Sequence, residues 1–106
     1  MKNKNWYAWN NLMPPKPDTF HLIGAVLVPN PGVEAVLIYR EPQGVNPAIL
    51  ILDLHLVQKP GIWPQVMSWA DVRYDKVYCP DEALYSQVEV YEAGNLLVRL
   101  DVDTVS

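Results

Sequence analysis

The chain has 106 residues, 50% of them apolar and 19% charged, a composition that suits one folded domain and excludes intrinsic disorder. Its net charge of −4, with eight Lys and Arg scattered singly, supplies no clustered positive charge, so neither nucleic acid nor an anionic membrane surface is an expected partner. No apolar stretch reaches the roughly 18–20 residues that span a bilayer.

The first eleven residues, MKNKNWYAWNN, place tryptophans and asparagines where an export signal has an apolar run of about 7–15 residues. Together with the single cysteine, Cys79, which permits no internal disulfide, this points the expectation to the cytoplasm. Trp6, Trp9 and Met13 recur at helix-like spacing, but the asparagines are poor helix formers and Pro14 and Pro15 close the stretch. Residues 1–18 are therefore read as an aromatic, proline-containing arm, and 19–106 as the folded domain.

From there, turn chemistry recurs at even intervals: PNPG at 29–32, PQGVNP at 42–47, KPGIWP at 59–64, CPDE at 79–82 and AGN at 93–95. The runs between are rich in Val, Ile, Leu and Tyr and predict six strands, at about 19–28, 33–41, 48–57, 65–75, 85–92 and 96–103. In the third run Leu50, Leu52, Leu54 and Leu56 share one face, read as core. Ile49, Ile51, Asp53, His55 and Val57 share the other. In the last run Leu96, Val98, Leu100 and Val102 are expected inside, with Arg99, Asp101 and Asp103 outside. If AGN is a three-residue loop with Asn95 left-handed, Glu92 faces Leu96, Val90 faces Val98, Glu89 faces Arg99 and Val88 faces Leu100. A helix over 80–93 is the rival reading, with Pro80 at its start and Leu84, Val88 and Tyr91 at helical spacing. The run SQVEVY and the hairpin pairing decide for a strand.

The pattern predicts a small all-β, antiparallel β-sandwich of about six to seven strands, with a small open β-barrel as the alternative. It has the general look of immunoglobulin-like or fibronectin-like sandwiches, without the Cys, Trp, Cys frame of true immunoglobulin domains, and a likeness at that level implies no function.

Asp53 and His55 lie two apart on one strand face, the spacing that brings two side chains to one ion, yet a third ligand would have to come from His21, Cys79 or a distant carboxylate. No metal and no cofactor is expected. Cys79 precedes Asp81 and Glu82, which disfavour a thiolate, and no histidine is near it in sequence. Asp71 with Asp75 and Asp101 with Asp103, each with an arginine between (Arg73, Arg99), read as salt-paired sheet surface rather than an acid–base pair. No G-x-S-x-G, G-x-G-x-x-G or phosphate-loop motif occurs, and no enzyme is expected.

The aromatic residues are more informative. Trp6, Tyr7, Trp9 and Trp63 fall in arm or turn segments, where such rings supply contact area with a polar handle. The stiff loop EPQGVNP adds Gln43 and Asn46 as candidate contacts. The apolar second faces, Ile23, Ala25 and Leu27 with Ile49, Ile51 and Val57, ask for cover. The expected function is a non-enzymatic protein-interaction domain, self-association included. A small-ligand or carbohydrate-binding module stacking its rings is the alternative, and an enzyme or metal site around Asp53 and His55 is a third reading.

Overall fold

In a computed structural model describing residues 1–106, the chain is all-β, with seven strands. They are β1 (Asn3–Asn11), β2 (Thr19–Val28), β3 (Val33–Tyr39), β4 (Ile49–Gln58), β5 (Ser68–Val77), β6 (Gln87–Glu92) and β7 (Asn95–Val105). All six expected strands are present within a few residues. The 80–93 stretch contains one turn and then β6, with no helix.

The strands form one mixed sheet in the order β3-β4-β6-β7-β1-β2-β5. β7 is the bridge: it pairs with β6 as far as Asp101, and from Val102 onward with β1. The sheet thus divides into two halves facing each other over one core, where Phe20, Leu22 and Val26 meet Leu50, Leu52 and Val90. The two edge strands, β3 and β5, come side by side without a hydrogen-bonded ladder, so the sheet is nearly closed.

Two expectations are corrected. The sheet is not wholly antiparallel, because β4 with β6 and β1 with β7 are parallel pairs. Parallel neighbours need a long crossover, and β4 reaches β6 only after the chain has left for β5 in the other half and returned through 78–86. The second correction is larger. The stretch read as an arm contains β1, an internal strand between β7 and β2. Its alternation is masked by a bulge: the register skips between Lys4 and Tyr7, with Asn5 at φ 60°. The skip turns the Trp6 ring inward, over Gly24, where a Cβ would overlap the ring. The Trp6 Nε1–H donates to Asn3 Oδ1 at 2.8 Å.

Beyond the bulge, Ala8 and Asn10 point into the core and Tyr7 and Trp9 point out. Asn10 is 2% exposed yet fully partnered. Its Nδ2–H donates to the Tyr85 carbonyl at 3.0 Å, and its Oδ1 accepts from the Tyr78 hydroxyl at 2.6 Å. The same hydroxyl accepts the Tyr85 N–H at 3.2 Å. One asparagine thereby ties β1 to the 78–86 crossover.

The final hairpin keeps the expected partners but reaches them differently. Val88, Glu89 and Val90 face Leu100, Arg99 and Val98. The loop, however, has two residues, Ala93 and Gly94, both with positive φ (51° and 82°), and Glu92 faces Asn95. A bulge between Val90 and Tyr91 then restores the register. The extra residue sends Leu97 against the core and leaves Leu96 exposed, opposite to the expectation for Leu96. The leucine face of β4 is core at Leu50, Leu52 and Leu54, but Leu56 lies past the end of the core and is exposed.

Candidate functional site

Because β1 is internal, its outward residues join those of β2 and β5 in one continuous face. Antiparallel pairing sets Trp9 beside His21 and His21 beside Asp75; one rung on, Tyr7 lies beside Ile23 and Ile23 beside Arg73. Tyr7 and Trp9 stack with ring centroids 5.2 Å apart, and Trp9 lies 5.0 Å from the His21 ring. His21 Nδ1–H donates to Asp75 Oδ1 at 2.6 Å, and its Nε2 lies 2.9 Å from the Thr19 hydroxyl. Arg73 Nε–H donates to the other Asp75 oxygen at 2.9 Å. The row ends at Trp69, with the Lys4 ammonium 4.1 Å from its ring.

The electrostatics follow from these contacts. Burial raises the Asp75 pKa, but the bonds from His21 and Arg73 together outweigh it and hold the group below the ordinary carboxylate value. The Asp103 carboxylate, across from Trp9 on β7, is close enough to the Tyr7 hydroxyl to raise its pKa. The rings are thus braced on each other and on fixed charges, while Tyr7 remains 43% exposed. Hydroxyl, imidazole and carboxylate at Thr19, His21 and Asp75 stand in the order of a nucleophile–base–acid relay. They stand on an open sheet face, and neither Thr19 nor His21 lines any of the molecule's concave surfaces.

The residues singled out in the sequence do not converge on one site. Tyr7 and Trp9 come together in this row. Trp6 faces inward against the core. Trp63 lies in the loop between β4 and β5, over Gly32, its Nε1–H donating to the Lys59 carbonyl at 3.1 Å. Gln43 is bonded to the backbone, donating to the carbonyls of Arg40 and Ile51 and accepting the Ile51 N–H, so it continues the sheet edge beyond β3. Asn46 Oδ1 accepts the Ala48 N–H and closes a local turn.

Asp53 is engaged by Arg40 in a two-bond pair, Nη2 to Oδ1 at 2.6 Å and Nε to Oδ2 at 3.1 Å, which holds its pKa low. His55 is exposed one rung away, His21 belongs to the other half-sheet, and Cys79 sits exposed in the 79–82 turn. No three histidine, cysteine or carboxylate side chains converge as ion ligands. Arg40 in turn lies over the Tyr91 ring, whose hydroxyl donates to Glu89 at 2.8 Å, and Arg99 Nε–H donates to Glu89 at 2.8 Å.

Sequence reasoning missed His21, Arg73, Asp75 and Asp103 as neighbours of the rings. The signal was the alternation of Tyr7, Trp9 and Asn11 after the bulge, which marks a strand to be paired with the run at 19–28. Comparison with known protein families, with curated proteins and with solved structures finds no match.

Proposed function

We propose that the chain is a non-enzymatic interaction domain that seats a protein partner, or a second copy of itself, on the outer face of β1, β2 and β5. The observation that carries this is the braced row Tyr7, Trp9, His21 and Arg73. Tyrosine, tryptophan and arginine dominate binding energy at protein interfaces, and side chains already fixed by their neighbours lose little entropy on docking. An open face recognises by contact, whereas turnover needs water excluded and donors aimed at developing charge. On the same reading the two half-sheets are the layers of a sandwich, joined through β7 and open along β3 and β5.

Replacing Tyr7 with photoactivatable benzoylphenylalanine tests the proposal. The expected product is one discrete adduct, with a partner or of twice the chain's mass, diminished by Arg73→Glu. No adduct beyond that from the same probe at Val45, a fully exposed residue in a distant loop, would contradict it. The parallel Tyr7 and Trp9 rings with acids alongside also favour a second reading, a small ring-shaped ligand such as a sugar. A saturable change in tryptophan fluorescence with a sugar, without any protein adduct, would select that reading.

A further inference from the structure

Parallel pairing brings the starts of two strands together. β4 and β6 begin side by side, with Ile49 opposite Gln87 and the Ser86 N–H donating to the Ala48 carbonyl at 2.8 Å. The segments that lead into them, 41–48 and 79–86, therefore meet at one end of the molecule. Between them lies a cleft of about 400 Å³, within the size range of small-molecule sites.

Both walls are fixed in advance. On one side Gln43 is bonded to Arg40 and Ile51, and Asn46 Oδ1 holds the Ala48 N–H, which sets Val45 and Pro47 along the cleft. On the other side Glu82 Oε1 accepts the Cys79 N–H at 3.0 Å, and Oε2 pairs with the Lys76 ammonium at 3.0 Å. Glu82 is the one ionised side chain lining the cleft, and Lys76 already balances it, so no free charge faces a ligand.

The most buried of the lining residues is Tyr85, 8% exposed, its ring edge-on to Phe20 at 5.4 Å and beside Tyr78 at 5.7 Å. Its main chain is bonded to Tyr78 and Asn10, but its hydroxyl makes no hydrogen bond. No buried polar side-chain atom of the molecule lacks a partner, so this hydroxyl must open onto free space. The cleft is the one concave surface that Tyr85 lines. Burial first, then Tyr39 and Glu82 from the same cleft, raise the Tyr85 pKa, so the hydroxyl stays a protonated donor.

From this geometry we infer that the cleft between 41–48 and 79–86 binds a small uncharged molecule, an apolar body carrying one hydroxyl or carbonyl oxygen. The oxygen accepts from the Tyr85 hydroxyl, and the body lies against Val45, Pro47 and Ile49. An ion would lose its hydration there without gaining a counter-charge, which disfavours carboxylates, phosphates and amines. An unpartnered donor gains a bond when the ligand enters, and walls already held in place lose little entropy. The cleft shares no residue with the Tyr7 row and stands independently of the function proposed for it.

Nuclear magnetic resonance titration of the full chain with 2-phenylethanol, acetophenone and cyclohexanol tests the inference, with phenylacetate and 2-phenylethylamine as charged counterparts. At least one neutral probe should shift the amides of Gly44, Val45, Ala83 and Tyr85 saturably. The charged counterparts should bind about tenfold more weakly or worse. Tyr85→Phe should weaken the neutral probe about tenfold, the scale of one hydrogen bond, and leave the urea midpoint unchanged or higher, because the lost hydroxyl has no protein partner. Binding of none of the neutral probes, equal or tighter binding of a charged counterpart, or undiminished binding by Tyr85→Phe would overturn the inference. So would a clear loss of stability in Tyr85→Phe, which would show the hydroxyl to be engaged within the protein, or saturable shifts confined to Tyr7 and Trp9, which would move the ligand to the aromatic face.

Discussion

Asn10 shows how a polar residue becomes part of a core. Its partners are Tyr78 and Tyr85, 68 and 75 positions away, so nothing near it in the sequence marks it as inward-facing. Asn10→Ala leaves a tyrosine hydroxyl and a carbonyl with lost partners and should cost about 2–4 kcal/mol in urea unfolding. Burial also pushes the Tyr78 hydroxyl up to about 12 and raises Tyr85 further. A phenol with a folded pKa above its unfolded value stabilises fully below about pH 10 and loses that contribution as pH rises toward 12. Ultraviolet titration should therefore find Tyr78 and Tyr85 the last tyrosines to ionise, together with unfolding. The carboxylates behave oppositely. Tyr91 and Arg99 hold Glu89 low against burial, and Arg40 does the same for Asp53. Their contribution is complete above the unfolded values and drains away as pH falls through the lower folded ones, so the urea midpoint should hold near neutrality and drop below about pH 4. Glu89 also decides an expectation about Arg99. As an outward residue on an alternating strand, Arg99 should tolerate Asp, but its partner Glu89 is only 6% exposed. Arg99→Asp sets two acids together at a nearly buried site, and a loss clearly larger than for Asp101→Arg is expected.

At the level of elements, strands with regular alternation and flanking turns are legible, as β2 and β4 are, and strands broken by bulges are not. β1 escapes because Asn5 and Trp6 interrupt its period and four asparagines depress its propensity. The β6–β7 hairpin is legible in its cross-strand partners, since apolar must meet apolar, but not in its loop. The bulge at Tyr91 lets a two-residue turn reach the register expected of a three-residue one. That turn places Ala93 in the left-handed region, where asparagine is tolerated better. Ala93→Asn should stabilise the domain by about 0.5–1 kcal/mol. β4 provides a sharper contrast. Leu54→Asp buries an unpaired charge, at a cost of about 4 kcal/mol or more against a total stability of about 5–15, and should unfold the domain. Leu56→Asp, two residues on, should cost about 1 kcal/mol or less, since Leu56 is 38% exposed. Equal tolerance at both positions would contradict the core boundary.

For the whole molecule, strand order follows from which surfaces meet, and single-strand patterns do not carry it. The parallel pairing of β4 with β6 depends on β5 having crossed to the other half, and the near closure depends on β7 belonging to both. The placement of β1 matters most, because it assembles the Tyr7, Trp9, His21, Asp75 face. Hydrogen–deuterium exchange read by mass spectrometry on the peptide covering Asn3–Asn11 tests that placement directly. An internal strand between β7 and β2 predicts protection through Ala8, Trp9 and Asn10 comparable to that of Thr19–Val28. Complete exchange of 3–11 at the earliest time point, with Thr19–Val28 protected, would show a loose arm and remove the foundation of the aromatic face.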